Sequence, residues 1–441
     1  MSATVFLPYL FSLFLLLLLL PLTLARGLGS EHSDKSVRHR TVQILHAYSP
    51  TSPLRPPSAA PASWEDSVLQ VQSKDQARLL YLSSLVAGKS VVPVAYGRQI
   101  IQTPTYVVRV KVGTPPQTLL MALDTSNDAA WLPCSGCTGC APVLFASAKS
   151  STFRGLPCQA AQCTQVPNPT CLGSSCGFNL TYGSSTMAAA LSQDTVALAS
   201  DAVPSYTFGC IQKATGNSLP PQGLLGLGRG PLSFLSQTQN LYQSTFSYCL
   251  PSFRSLNFSG SLRLGPIAQP KNIKFTSLLR NPRRSSLYYT NLIGIRVGRR
   301  VVNIPGSALA FNPTTGAGTI FDSGTVFTRL VEPAYNAVRD EIRRRMGNAT
   351  VSSLGGFDTC YAVPIVVPTI TFMFQGMNMT LAQDNFLIHS TATSITCLAV
   401  AAAPDNVNSV LNVIATFQQQ NHRILFDVPG SRLGVSRELC T

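Results

Sequence analysis

A short turn that occurs twice constrains this chain more than any other feature. Thr319–Leu330 reads TIFDSGTVFTRL: Ile320 and Phe321 run as an apolar strand into Asp322, Ser323, Gly324 and Thr325 make a hydroxyl-rich turn, and apolar residues resume at Val326 and Phe327. A carboxylate set between buried strands is costly unless it is compensated. Flanking hydroxyls, and a Gly that lets backbone approach closely, are the compensation expected here. Met121–Leu132, MALDTSNDAAWL, repeats the arrangement 198 residues upstream, with Asp124, Thr125 and Ser126 in the corresponding places. One such turn is an ordinary Asx-turn; two in matching contexts imply two carboxylates that face each other.

The repeat extends beyond the turns. Leu224-Leu225-Gly226 ends 102 residues after Asp124, and Val413-Ile414-Ala415 ends 93 residues after Asp322. Each half reads as an Asp turn, a β meander, then an apolar pair and a small residue, so two similar lobes with one Asp each are expected. Tyr106–Val112 (YVVRVKV) alternates in the β period, and short strands recur at Thr195–Leu198, Tyr206–Gly209, Tyr288–Val297, Ile365–Phe374 and Arg423–Val428. The body is therefore expected to be all-β. Glu332–Met346 is the chief helical exception, with Ala334, Val338, Ile342 and Met346 recurring every four residues.

The N-terminus points to a compartment. Val5–Leu24 is almost continuously apolar and leads to Thr23-Leu24-Ala25, a small-x-small cleavage pattern. It reads as a secretory signal peptide over 1–25, with an uncleaved membrane anchor as the alternative. Residues 26–63 have a linker-like Ser, Pro, His and Arg composition, and Trp64–Val86 shows helical spacing through Trp64, Val68, Leu69, Ala77, Leu80 and Leu82. Residues 26–100 are expected to be a removable pro-segment, or else a permanent extension. The lobes are expected at 101–270 and 271–441.

Twelve cysteines, all after residue 133, lie behind this leader: Cys134, Cys137, Cys140, Cys158, Cys163, Cys171, Cys176, Cys210, Cys249, Cys360, Cys397 and Cys440. An even count in that context means disulfides rather than metal. Asn179, Asn257, Asn348 and Asn378 head N-x-Ser/Thr sequences that can accept glycans in a secreted protein. Residues 101–441 hold 24 Lys and Arg against 13 Asp and Glu, a net +11. Such a field favours acidic polymers, either in the cell wall or as nucleic acid.

Two carboxylates across a lobe interface can share one proton, because like charges at close range cannot both ionise. The ionised partner takes a proton from water as it attacks a peptide carbonyl, and the protonated partner donates to the carbonyl oxygen. No metal or cofactor is required. The residues Asp124-Thr125-Ser126 with Trp131, Asp322-Ser323-Gly324-Thr325, Gly223–Gln237 (GLLGLGRGPLSFLSQ) and Gln418–Gly434 (QQQNHRILFDVPGSRLG) together resemble the pepsin-like aspartic proteases. Within that family the resemblance is to the plant nepenthesin-like and chloroplast nucleoid DNA-binding-protein-like branch, and it covers about Tyr106 to Cys440.

The resemblance implies a bilobal double β-barrel with a cleft between lobes and few short helices. It makes Asp124 and Asp322 the catalytic pair and Tyr182 the tyrosine of the flap that closes over substrate. Thr125, Ser126, Asn127, Trp131, Ser323, Gly324 and Thr325 become supporting residues. It also suggests the pairings Cys134–Cys137, Cys140–Cys210, Cys158–Cys176, Cys163–Cys171, Cys249–Cys440 and Cys360–Cys397. Three positions depart from the pattern: Ser126-Asn127 stands where Gly-Ser is usual, Ser185 where the flap has Gly, and Ala415 where the second apolar pair precedes Gly.

The function expected is that of a secreted, monomeric aspartic endopeptidase acting on protein or peptide substrates, held ionically to acidic cell-wall polymers and without a membrane span once mature. Lys35, Arg38, Arg40, Lys74 and Arg78 are available to pair with cleft carboxylates in a precursor. Two other readings stand beside it. One is a protease-fold binding or inhibitor protein without meaningful catalysis; the other is a basic nucleic-acid-binding protein, although the basic residues are scattered and no nucleic-acid module is present. Gly173–Gly177 matches G-x-S-x-G but lacks the strand–turn–helix context of a hydrolase elbow. The five histidines form no metal-ligand spacing.

Overall fold

The YVVRVKV run forms strand Tyr106–Val112, with Arg109 and Lys111 exposed and the other five side chains buried. It pairs antiparallel with Gln117–Asp124, so Asp124 is the last residue of a strand whose final six residues are buried. Leu224–Gly226 pairs parallel with that strand, setting Gly226 beside Asp124, and touches Trp131 of Trp131–Thr138 from the other side. The second half repeats this crossing. Gly318–Phe321 pairs parallel with Leu411–Ile414, and Leu411–Ile414 also meets Arg329 of Thr328–Leu330. The two apolar pairs therefore occupy equivalent places, one beside each Asp strand. Gly226 cannot carry a side chain, because a Cβ there would stand 2.1 Å from the Asp128 carbonyl oxygen. Ala415 is accommodated, fully buried, in the second crossing.

The computed structural model describes residues 105–440 apart from five short loop stretches (199–200, 254–259, 363–364, 391–393 and 406–409). It also describes the backbone of Arg40–His46 and nine positions between Asp66 and Leu79. All of these belong to the unit Arg38–Thr441. The expected signal peptide, most of the 26–100 segment, Lys35, Arg38 and the Asn257 sequence lie outside the described residues. The fold is a bilobal, mostly β, pepsin-like architecture with few short helices. Thr245–Cys249 joins the halves by pairing antiparallel with both Gly260–Leu264 and His422–Asp427. Among the described residues no helix is long and apolar enough to cross a membrane.

Several sequence expectations are corrected. Within the linker-like stretch 26–63, Arg40–His46 is a strand that pairs antiparallel with both Gly260–Leu264 and Tyr106–Val112. Its TVQIL core is rich in β-branched residues, a signal that the surrounding Pro and Ser obscured. Tyr288–Val297 is two strands, Tyr289–Thr290 and Leu292–Val297, which join different sheets. The expected strand Ile365–Phe374 begins only at Ile370, after Pro368, whose missing N–H cannot join a ladder. Glu332–Met346 is a helix over its expected span, burying Ala334, Val338 and Ile342. Its arginines bind locally: Arg344 and Arg345 hold Glu341 at 2.8 and 2.7 Å, and Arg343 lies 3.4 Å from Asp358.

All twelve cysteines are paired, but four pairings differ from those the resemblance suggested. The bonds are Cys134–Cys210, Cys137–Cys140, Cys158–Cys171 and Cys163–Cys176, with Cys249–Cys440 and Cys360–Cys397 as expected. The cause of the first exchange is register. Leu132 lies beside Cys210 in a parallel pair, which brings Cys134 to Cys210 before the strand bulges and Cys137 turns back to Cys140. Cys171 and Cys176 face each other in the Pro169–Leu172 and Ser175–Tyr182 hairpin, and each reaches away from it to a different residue of the preceding loop.

Candidate active site

Both Asp residues are fully buried at the ends of apolar strands, and the turns that follow them interlock across the lobes. Thr125 N donates to Ser323 Oγ at 3.1 Å, and Ser323 N donates to Thr125 Oγ1 at 3.0 Å. Each hydroxyl passes its own proton onward, Ser323 Oγ to the Leu123 carbonyl at 3.0 Å and Thr125 Oγ1 to the Phe321 carbonyl at 3.4 Å. Every polar group of this exchange is satisfied inside the protein, as burial requires. The exchange fixes the two carboxylates relative to each other.

The carboxylates have different surroundings. Asp124 Oδ1 accepts from Ser126 N and Ser126 Oγ, each at 2.8 Å, while Oδ2 accepts from Asn127 Nδ2 at 3.0 Å and the Tyr182 hydroxyl at 2.9 Å. Asp322 accepts from Gly324 N at 3.3 Å and Thr325 Oγ1 at 2.6 Å. Burial pushes the Asp322 carboxyl above its ordinary range, Asp124 adds to that, and a nearby guanidinium opposes it. Tyr182 sits at the tip of a hairpin formed by Ser175–Tyr182 and Ser185–Leu198, with Trp131 edge-on to its ring at 5.5 Å. Burial and the adjacent Asp124 hold its hydroxyl well above the usual tyrosine range, so it is a hydrogen-bond donor.

The three departures from pattern have local partners. Asn127 donates to the first Asp through its amide, and Ser126 adds a hydroxyl where Gly would offer none. Ser185 is fully buried and accepts from Ser218 N at 2.6 Å, tying the flap hairpin to the next loop. Ala415 N donates to Thr328 Oγ1 at 3.0 Å. Gly324 is required as it stands, since a Cβ there would come within 2.7 Å of Asp124 Oδ2.

The guanidinium beside the pair belongs to Arg78. Its Nη2 lies 2.8 Å from Asp124 and 3.5 Å from Asp322, contacts Ser126 Oγ, and the group stacks 4.9 Å over the Tyr182 ring. Of the cations expected to pair with cleft carboxylates, this is the one the described residues place on the dyad.

Sequence reasoning missed two further contacts. The Asp75 carboxylate accepts from Val326 N at 2.7 Å and from Phe327 N, and Gln72 accepts from Gly356 N. Desolvation raises the Asp75 carboxyl to about 7, against the pull of Arg329 and the two N–H donors. Val68 and Val71 pack with Val326, Phe327 and Phe357, and Leu79 packs with Ile320 and Tyr289. The signal was available as spacing: residues 68, 71, 72, 75, 78 and 79 share one helical face, on which Gln72, Asp75 and Arg78 are conspicuous polar members.

Comparisons with known proteins place the chain in a family. Residues 106–266 match the family model described as xylanase inhibitor N-terminal, and residues 287–437 match its C-terminal counterpart. Aspartyl protease AED3 of Arabidopsis thaliana is 52% identical over 397 residues, covering 87% of this chain and 88% of that protein. The chain belongs to the plant pepsin-like aspartic protease family. Other members are similar over long spans: aspartyl protease 25 of Oryza sativa subsp. japonica is 46% identical, covering 90% of this chain and 94% of the relative. Aspartic proteinase nepenthesin-1 of Nepenthes gracilis is 32% identical, covering 76% and 78%. Among solved structures, soybean basic 7S globulin shares the fold at a TM-score of 0.61 and 20% identity, covering 76% of this chain and 93% of that one.

Proposed function

We propose that this family member is a secreted aspartic endopeptidase made as a precursor, with Asp124 and Asp322 as its catalytic pair and Arg78 as the group that blocks them. The observation that carries the reading is the interlocked pair of buried carboxylates capped by a guanidinium from the segment before residue 100. Removing that segment withdraws the only cation contacting the dyad among the described residues and opens the space between the carboxylates to water. Asp322, whose carboxyl burial raises, holds the shared proton and donates it to the carbonyl oxygen. Asp124 takes the proton of the attacking water, and Tyr182 closes the flap over the peptide. The tetrahedral product then collapses as the leaving amine takes up a proton from the pair.

In this reading the chain comprises a signal peptide over 1–25, a pro-segment over 26–100 and lobes over 101–270 and 271–441. Six disulfides and four glycan-acceptor sequences suit an extracellular monomer, and the net basic charge suits retention on acidic cell-wall polymers. A second reading is favoured by one observation. With Arg78 in place the dyad is occupied, so a segment that never leaves would make the protein a binding or inhibitor module on a protease scaffold. The test is peptide cleavage from pH 3 to 7 by the secreted protein before and after loss of the segment. Cleavage that appears with processing and is stopped by pepstatin supports the enzyme. A processed protein that cleaves nothing, or whose cleavage ignores pepstatin, overturns it.

A further inference from the structure

Asn179-Leu180-Thr181 is a glycan-acceptor sequence on the flap itself, three residues before Tyr182. The side chain of Asn179 is exposed, while Phe178 before it and Tyr182 three residues on are buried. Strand register sets Asn179 opposite Ala188, and Ala188 opposite Lys213, so the three form one row across the hairpin and the next strand. That row lines a cleft cavity of about 910 Å³ which also touches Ser126 and Asn127, the residues directly after Asp124, and reaches Ser286 on the opposite wall. Asn348 and Asn378 are exposed as well, but neither borders this cavity. The facing residue, Ala188, is small and leaves the Asn179 amide open to approach.

We propose that Asn179 carries an N-linked glycan which narrows the cleft beside the flap, so that slender, extended peptides reach the dyad and folded proteins do not. The modification joins Asn179 Nδ2 to the anomeric carbon of an oligosaccharide. A lipid pyrophosphate carrier is the leaving group, and the amide gives up one proton. The product is bulky and hydrophilic and stays on the surface, and this surface is the rim of the substrate channel. A volume near the upper end of ligand-pocket size is thereby partly filled by a group that moves with the flap. The inference rests on the reading of the protein as a secreted protease.

Its test uses the full chain secreted from plant cells and processed there. Mass spectrometry reads occupancy of Asn179, and kcat/KM is measured on an octapeptide and on a native, folded protein substrate. Asn179→Gln and Thr181→Val remove the acceptor sequence, whereas Thr181→Ser keeps it. The expected result is an occupied Asn179 and a gain of about fivefold or more on the folded substrate in the first two variants. The octapeptide rate should stay within about twofold, and Thr181→Ser should behave as wild type. An unoccupied Asn179, or equal changes on both substrates, overturns the proposal. If no version cleaves the octapeptide, the protease reading has failed instead. Occupancy, with binding of a fluorescent octapeptide compared with the same peptide fused to a folded carrier, then decides the glycan's role.

Discussion

Leaving Arg78 aside, Asp124 accepts four hydrogen bonds, from Ser126 N, Ser126 Oγ, Asn127 Nδ2 and Tyr182, whereas Asp322 accepts two, from Gly324 N and Thr325 Oγ1. The backbone frames around them are near copies, down to the apolar pair beside each strand. The asymmetry therefore comes from side chains: Asn127 and Thr325 donate from matching positions, but Ser126 adds a hydroxyl where Gly324 has none, and the flap brings Tyr182 to the first Asp alone. Duplicated frames can hold two carboxylates alike, and two added hydroxyl donors then divide their roles, with the proton held at donor-poor Asp322.

The largest expected effect comes from removing the guanidinium that both turns share. Breaking a buried ion pair costs about 3–5 kcal/mol, so Arg78→Met should loosen the segment by roughly two orders of magnitude or more. The unprocessed full chain should then bind immobilised pepstatin, whereas wild type should not. The next effects sharpen the asymmetry. Thr325→Ala removes one of two donors and leaves a buried Asp322 oxygen without a partner from its turn, which costs roughly 1–3 kcal/mol and should lower kcat about 5- to 100-fold. It should also move the Asp322-dependent limb of the pH profile upward. Asn127→Ala leaves Asp124 with three donors and should cost only a few-fold, about 1 kcal/mol or less. Equal losses in the two variants would remove the distinction drawn between the turns.

The smallest effect concerns Asp75. Its carboxyl is raised from 3.8 to about 7 when docked, so docking takes up a proton between those values. Its contribution to docking is adverse above about pH 7 and is relieved as pH falls. Protonating the dyad acts in the opposite direction, because it weakens the hold on Arg78. Calorimetry of a peptide spanning residues 64–82 on the processed protein, in buffers of differing ionisation enthalpy near pH 6, should show proton uptake that an Asp75→Asn peptide lacks.

Much of the site was legible because its residues are local. Asp and a hydroxyl-rich turn follow one another within four positions, and the arrangement recurs at a distance with Ser126 in the place of Gly324. The long helix was legible from apolar spacing alone. What escaped depends on contacts between distant segments. Cys134 meets Cys210 only once two strands adopt a parallel register. Asp75 reads as an ordinary solvated charge until the N–H groups of Val326 and Phe327 are seen to point at it. Asn127 could be named as a supporting residue in advance, but its donation to Asp124 Oδ2 required the turn itself.

The central claim is that the two turns form one catalytic unit, and rates of Asp124→Asn, Asp322→Asn and the double variant after processing test it most directly. Residues that act as a unit are grossly non-additive. The account predicts that each single substitution lowers kcat by about 10²–10⁴-fold and that the double variant falls to the same floor. A single variant that keeps most of the wild-type rate, or a double variant whose loss is the product of the two, would contradict it.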